Sequence, residues 1–289
     1  MRQLQDIGKE RDDMSTIVNL TSVFESLASM HISQIKNQVQ LSQKFFDELW
    51  HIYTQIRVDS LFRFGREEHE HEDIIDKELF IAITAEGGFS GDIDQKLVKW
   101  MLQDYDPEKH EIIVIGHHGA VQLAQAGVRF RKYFKLPSKD QNINVSPLIK
   151  YVREYKSTSV YYQAYVSLMV QEVKKIALKS AVQEAGRQSR TKKNDDSIIS
   201  EFNYIFEPST FSVVAHLERS MLEISLGQVI LDSKLAQYAS RFRSMSAAKE
   251  RAIESEKELK LTYNRAKRSI SDERLKEIIN GMKAAGARA

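Results

Sequence analysis

Helix-breaking residues are distributed very unevenly along this 289-residue chain. No glycine or proline lies between Gly8 and Gly65, and all four prolines (Pro107, Pro137, Pro147 and Pro208) fall in the middle. After Pro208, Gly227 is the only glycine before Gly281. Proline removes a helical donor, and glycine costs about 1 kcal/mol against alanine in a helix interior. The pattern therefore predicts two long helical arms flanking a mixed centre.

The carboxy-terminal arm carries a heptad seam. Leu235, Tyr238, Phe242, Met245, Lys249, Ala252, Glu256, Leu259, Tyr263, Ala266 and Ile270 alternate in spacings of three and four, the repeat that keeps one helical stripe facing a partner. Lys249 and Glu256 interrupt it. A polar seam residue either fixes register at some cost in stability or snorkels toward water. In the amino-terminal arm, Ile17, Leu20, Phe24, Ala28, Ile32, Ile35 and Val39 form a stripe whose extra fours read as a stutter. Phe46, Leu49, Tyr53 and Ile56 continue it. One helix of this length is poorly stable alone, so the two stripes are expected to pair as an antiparallel coiled coil. The arms differ in charge. Residues 1–56 hold five Lys/Arg and seven Asp/Glu, whereas residues 240–289 hold thirteen and seven. That leaves the second arm with a basic exposed side, either solvated or turned toward acidic partners.

The centre alternates in type. "ELFIAIT" (78–84) and "EIIVIG" (111–116) read as buried parallel strands. "DIDQKLVKWMLQDY" between them has helical spacing, "STSVYYQAYVSLMVQEVKKIALKSAV" reads as a further helix, and "FNYIFEPS" as a further strand. "EAGRQSRTKKNDDS" (184–197) reads as a polar, basic surface loop. The expected fold is α/β: a long antiparallel coiled coil of the terminal helices with an inserted Rossmann-like α/β domain. The expected segments are 1–60, 61–208 and 209–289. A chain without cysteine has no disulfide framework and no thiol chemistry. The opening residues, MRQLQDIGKERDDMSTI, do not form a secretory signal, and no apolar run reaches membrane-spanning length. A net charge of +2 does not point to nucleic acid.

Three constellations invite a chemical reading. "AEGGFSG" (85–91) joins a strand to a helix, where glycine-rich turns bind phosphate, but it lacks the lysine and hydroxyl of a P-loop. His69 and His71 in "REEHEHEDIID" have a metal reading, against the blander one of solvated residues in an acidic linker. His117 and His118 in "GHHG" follow a strand, yet the sequence places no cysteine, serine or carboxylate beside them. On an extended segment such neighbours would point apart.

The letters then align, block by block, with one family. "SRFRSMSAAKERA" resembles S-R-M-x-A-M-x-A-A-T-x-N-A, "LKLTYNRAKRSI" resembles L-x-L-x-Y-N-x-A-R-Q-A-x-I, and "LKEIINGMKA" resembles L-x-E-I-V-x-G-A-x-A. "ITAEGGFSGDID", "VIGHHG" and "YIFEPS" resemble I-T-S-D-x-G-L-C-G-x-x-N, V-I-G-x-K-G and Y-x-Y-E-P-S. These are blocks of the gamma subunit of the F-type ATP synthase, and the resemblance spans nearly the whole chain. There are departures: Phe24 stands where the family has methionine, the amino-terminal block is poor in lysine and arginine, and Lys267-Arg268 replaces an Arg-Gln pair.

The resemblance implies a diverged bacterial central shaft that couples ion flow through the membrane c ring to cycling of the catalytic beta subunits. The implied partners are alpha, beta and epsilon subunits and the c ring. The chain is implied to have no catalytic residue, cofactor, metal or nucleic acid of its own. By position, Lys267, Arg268 and Glu277 are expected at the alpha/beta ring, and Tyr204 and Glu207 at the c ring or epsilon. The implied location is peripheral, on the cytoplasmic side of the cell membrane. Rival readings are a free-standing coiled-coil scaffold with an α/β head and a small Rossmann-like nucleotide-binding enzyme.

Overall fold

The computed structural model describes residues 4–56, 74–137, 143–180, 182, 205 and 207–286. Helix α1 (Leu4–Gln55) and helix α5 (Thr210–Gly286) occupy the two breaker-poor arms. Between them come β1 (Ile75–Ile83), α2 (Ile93–Asp104), β2 (His110–Ile115), α3 (His117–Gln125), β3 (Lys132–Phe134), α4 (Ser146–Glu154), β4 (Tyr155–Tyr165) and β5 (Gln171–Ala177). The chain divides into two compact units, Met1–Leu27 with Phe242–Ala289, and Ala28–Arg241.

The first unit is a pair of antiparallel helices. The Arg11 guanidinium lies 4.9 Å over the Tyr263 ring, and Glu25 meets Lys249 Nζ at 2.9 Å. On α5 the heptad seam is where the spacing put it. Met245 and Ala252 are buried, and Lys249, Glu256, Leu259, Tyr263, Ala266 and Ile270 are half-buried.

On α1 the expected stripe holds at Ala28, Ile32 and Ile35 but is out of phase over its first three members. Ile17, Leu20 and Phe24 are 44%, 53% and 37% exposed. The inward positions are Ile7, Arg11, Met14, Val18, Thr21 and Glu25, all buried or half-buried. These continue into Ala28, Ile32 and Ile35 in unbroken heptad spacing, so α1 has no stutter. The seam was disguised because Thr21 and Glu25 are polar, while apolar Leu20 and Phe24 stand one position before them. Polar meets polar across it: Lys249 holds the Glu25 carboxyl below its usual range by a hydrogen bond. Asp12 raises the Arg11 pKa, with smaller contributions from Tyr263 and Glu256.

The second unit is built on a five-stranded sheet of order β3-β2-β1-β4-β5, among the described residues. β1 pairs parallel with β2 and β4, β2 with β3, and only β4 and β5 run antiparallel. Alternate residues of β1 serve opposite faces, as the pleat requires. Leu79, Ile81 and Ile83 join α4 and the Leu226–Ile230 stretch of α5 on one side. Phe80 and Ala82 join Leu97, Val98 and Met101 of α2 and Leu123 of α3 on the other. Buried on both faces, β1 and β2 read as continuous apolar runs. The helices run antiparallel here too: His31 stacks on Tyr238 at 4.6 Å, and Tyr53 Oη donates to Glu218 at 2.9 Å.

The expected helix over "STSVYYQAYVSLMVQEVKKIALKSAV" is instead the β4–β5 hairpin. Thr158, Val160 and three tyrosines favour a strand. However, residues 158–164 are buried throughout, so no alternation is visible. The turn has no glycine or proline. Ser167 closes it, its N–H donating to Val170 O at 2.9 Å and its hydroxyl accepting from Val170 N. In "FNYIFEPS", Phe202, Asn203, Tyr204 and Phe206 lie outside the described residues, as does the 184–197 stretch. Ile205 is in no strand.

Candidate functional site

In a doubly wound sheet, ligands settle outside the carboxyl ends of the strands where the strand order reverses. Here that place lies between β1 and β4, and the chain's own side chains occupy it. Asp94, on the first turn of α2, is 2% exposed. It accepts from Ala85 N at 3.2 Å, Gln163 Nε2 at 2.7 Å and Ser90 Oγ at 3.5 Å, and lies 2.9 Å from His118 Nδ1. Gln163, at the end of β4, is fully buried. Its Oε1 accepts from Ser233 Oγ and, at 3.3 Å, from Gln237 Nε2, both on α5.

The glycine-rich turn, exposed at Gly87, Gly88 and Phe89, is tied to α5. Arg241 donates to the carbonyls of Gly88 (3.1 Å) and Gly87 (3.3 Å), and Ser240 Oγ donates to Ser90 O at 2.6 Å. Glu86 accepts from His117 N, which opens α3, from Leu136 N, and from Tyr133 Oη at 2.9 Å. Burial first and Glu86 second push the Tyr133 hydroxyl pKa up. A bound anion needs free backbone N–H donors. At Ala85 and His117, carboxylates of this chain already take them.

The glycines of "VIGHHG" have a packing reason. Gly116 has φ +99°, and an added Cβ would sit 2.0 Å from Thr84 O. At Gly119 it would sit 2.7 Å from Thr84 Oγ1, which accepts the Gly119 N–H at 2.9 Å. His117 and His118 therefore open a helix rather than an extended segment. A carboxylate does stand beside His118, since Asp94 comes from 24 residues away.

The residues expected to touch partners lie elsewhere. Lys267, Arg268 and Glu277 are exposed on α5, and Glu207 is exposed just before that helix. Lys267 and Arg268 sit between the seam residues Ala266 and Ile270, and Glu277 lies beyond the seam. Tyr204, like His69 and His71, lies outside the described residues. Exposed apolar side chains alternate with charged ones near the end of α5. Leu275, Ile278 and Met282 are 59%, 63% and 71% exposed. A groove of about 460 Å³ runs along Leu4, Ile7, Leu259, Ala266 and Ile270.

The sequence reading missed Asp94, Gln163, Ser233, Gln237, Ser240 and Arg241 as a group. One signal was available. Ser233, Gln237, Ser240 and Arg241 follow the i, i+4, i+7, i+8 pattern, a second helical face that is polar and separate from the heptad seam.

Comparison with known proteins supplies the context. The family model described as ATP synthase matches residues 3–285. The ATP synthase gamma chain of Cytophaga hutchinsonii is 22% identical, over 98% of this chain and 99% of that one. That of Mycoplasmoides gallisepticum is 21% identical, over 97% and 99%. Among solved structures, a chain of the Euglena gracilis mitochondrial ATP synthase (OSCP/F1/c-ring, rotational state 3) superposes with a TM-score of 0.64 at 14% identity. It covers 98% of this chain and 95% of its own. A chain of the Tetrahymena thermophila central stalk/c-ring superposes at 0.54 and 13% identity, over 79% and 99%.

Proposed function

This chain belongs to the ATP synthase gamma-chain family, and on that premise we propose that it is the central rotor shaft of the rotary complex. In that role it turns with the membrane c ring and carries the catalytic beta subunits through successive conformations. A shaft needs no chemistry of its own. It needs contacts that differ between rotary positions, because only differential interaction free energy biases a partner's conformation.

The observation that carries the reading is the exposed apolar surface of the two long helices. Ile17, Leu20 and Phe24 on α1, and Leu275, Ile278 and Met282 on α5, are exposed outside the seam. A helical surface of that kind suits enclosure by a surrounding ring. No helix among the described residues is long and apolar enough to cross a membrane. The proposed attachment is accordingly peripheral, on the cytoplasmic side of a bacterial membrane, through the segment 61–208 inserted between arms 1–60 and 209–289. Glu207 and Tyr204 are proposed to lie toward the c ring or epsilon.

Affinity purification of the tagged chain from membranes tests this directly. Recovery of alpha, beta, epsilon and c subunits supports the shaft. Recovery of the chain alone, with saturable ATP, ADP or NAD binding by calorimetry, supports the rival enzyme. Lys267, Arg268 and Glu277 are proposed to meet the alpha/beta ring, whose carboxylates can accept charged hydrogen bonds from the two cations. Changing Lys267 and Arg268 together to alanine is expected to leave a complete complex with reduced ATP turnover. Unchanged turnover removes them from the contact set, and failed assembly makes their role structural.

A further inference from the structure

Helix α5 presents two different faces. The seam Leu235, Tyr238, Phe242 is apolar or aromatic, whereas Ser233, Gln237, Ser240 and Arg241 form a polar stripe, all of it bonded to the α/β layer. From the layer, the Gln163 side chain reaches across to this stripe. Gln163 stands at the end of a central strand, and Nε2 donates to Asp94 on the layer side while Oε1 accepts from Ser233 and Gln237 on the helix side. Asp94 has only acceptors to offer when ionised, so it sets which end of the amide faces it. Gln237 Nε2 also donates to Ser233 Oγ at 3.1 Å, closing the group.

Other polar contacts between α5 and the layer are dispersed along the helix. Asp232 accepts from Tyr165 N at 3.4 Å, Lys234 Nζ donates to Pro137 O at 2.8 Å, and Glu223 accepts from Ser146 Oγ at 3.1 Å. The rest of the contact is apolar. Leu226, Val229 and Ile230 pack on Val160 and Tyr162. Apolar burial resists separation but has no preferred direction. Hydrogen bonds are directional and weaken steeply when donor and acceptor are turned. A helix pulled along or around its axis by a load therefore meets its stiffest resistance at the polar stripe.

We propose that Gln163 is the key that transmits torque between the α/β layer and helix α5, with Asp94 orienting it and Ser233 and Gln237 forming its slot. The proposal rests on the rotor-shaft reading. Force entering the layer passes through Gln163 to α5, which runs unbroken to Gly286 and carries it onward. Ser240 and Arg241, bonded to the turn at 87–90, extend the slot one helical turn further.

The test uses the whole complex in membrane vesicles, with Gln163→Met on the layer side and the pair Ser233→Ala/Gln237→Met on the helix side. ATP hydrolysis is measured with and without an ionophore, and the ATP-driven membrane potential is followed with a voltage-sensitive dye. A key predicts wild-type assembly and wild-type hydrolysis in the presence of ionophore. It also predicts a potential that falls to half or less, with loss of the stimulation that ionophore gives a rotor working against back-pressure. If Gln163→Met does not assemble, the helix-side pair decides alone. Full potential and full stimulation in that pair overturn the proposal, and so does its failure to assemble, which makes the group a packing feature. A wild-type complex that hydrolyses ATP yet builds no potential would instead overturn the rotor reading.

Discussion

The two units of this chain use the same two helices under different conditions. In Ala28–Arg241, α1 and α5 accompany a sheet covered on both faces, and side chains such as Phe46, Tyr161 and Gln163 are removed from water entirely. In Met1–Leu27 with Phe242–Ala289 the described residues form two helices, and two cylinders can hide one stripe each. The seam there contains polar residues: Arg11 faces Tyr263 and feels the charge of Glu256, Glu25 meets Lys249, and Thr21 is buried. The comparison teaches that heptad spacing survives polar residues where a seam is only half dry. Inside the layered unit, by contrast, the polar cluster of Asp94, Gln163, Ser233 and Gln237 is bonded throughout, as a buried unpaired polar atom costs about 1–3 kcal/mol. Trp50 Nε1, Thr158 Oγ1 and Ser225 Oγ are buried there without a hydrogen bond among the described residues.

The largest expected effect belongs to the layered unit. Gly116→Ala places a Cβ 2.0 Å from a backbone oxygen at a positive φ. It should cost about 5 kcal/mol, in the range reserved for strained or overpacked sites. Urea unfolding should find little folded protein, and a loss below about 1 kcal/mol would mean that the β1–β2–α3 junction is not tight.

Next come paired core deletions. Phe46→Ala, fully buried against Met221, should cost about 3–4 kcal/mol, whereas Ile7→Ala, on the two-helix seam, should cost about 1–2. Equal losses in thermal melts would erase the contrast between the units.

Smaller still is Glu25→Gln. The pair with Lys249 is partly exposed and should contribute about 0–1 kcal/mol. Because the folded-state pKa of Glu25 is depressed, its contribution is present above the unfolded carboxylate pKa and is lost as pH falls through the depressed value. The wild-type advantage in melting temperature should therefore exist at pH 7 and disappear in acid. An advantage that persists in acid would assign the effect to packing.

The smallest effect has the opposite sign. Burial raises the pKa of Asp232, against a hydrogen bond from Tyr165 N and the charge of Lys174. A folded state that binds the proton more tightly gains stability at low pH and loses it as pH rises through the raised value. Asp232→Asn should slightly raise the melting temperature at pH 7 and leave it unchanged well below the carboxylate range. A fall at pH 7 would show that the charge is needed where it stands.

The sequence by itself determined the helical arms, strands β1 and β2, helix α2, and the seam from Leu235 to Ile270. Each rests on local pattern: absent breakers, uninterrupted apolar runs, or heptad spacing along one helix. It also determined the family, because the blocks are contiguous strings of letters. Tertiary structure alone decided the phase of the amino-terminal seam, since Ile17 and Thr21 can be ranked only once the partner helix is in place. It decided that "STSVYYQAYV" is a strand, because burial on both faces erased the alternation that would have marked it. It also assembled Asp94, Gln163, Ser233 and Gln237, which are scattered over three elements. No single-helix or single-strand period can bring together residues so far apart in the chain; only the packing of α5 against the carboxyl ends of β1 and β4 does that.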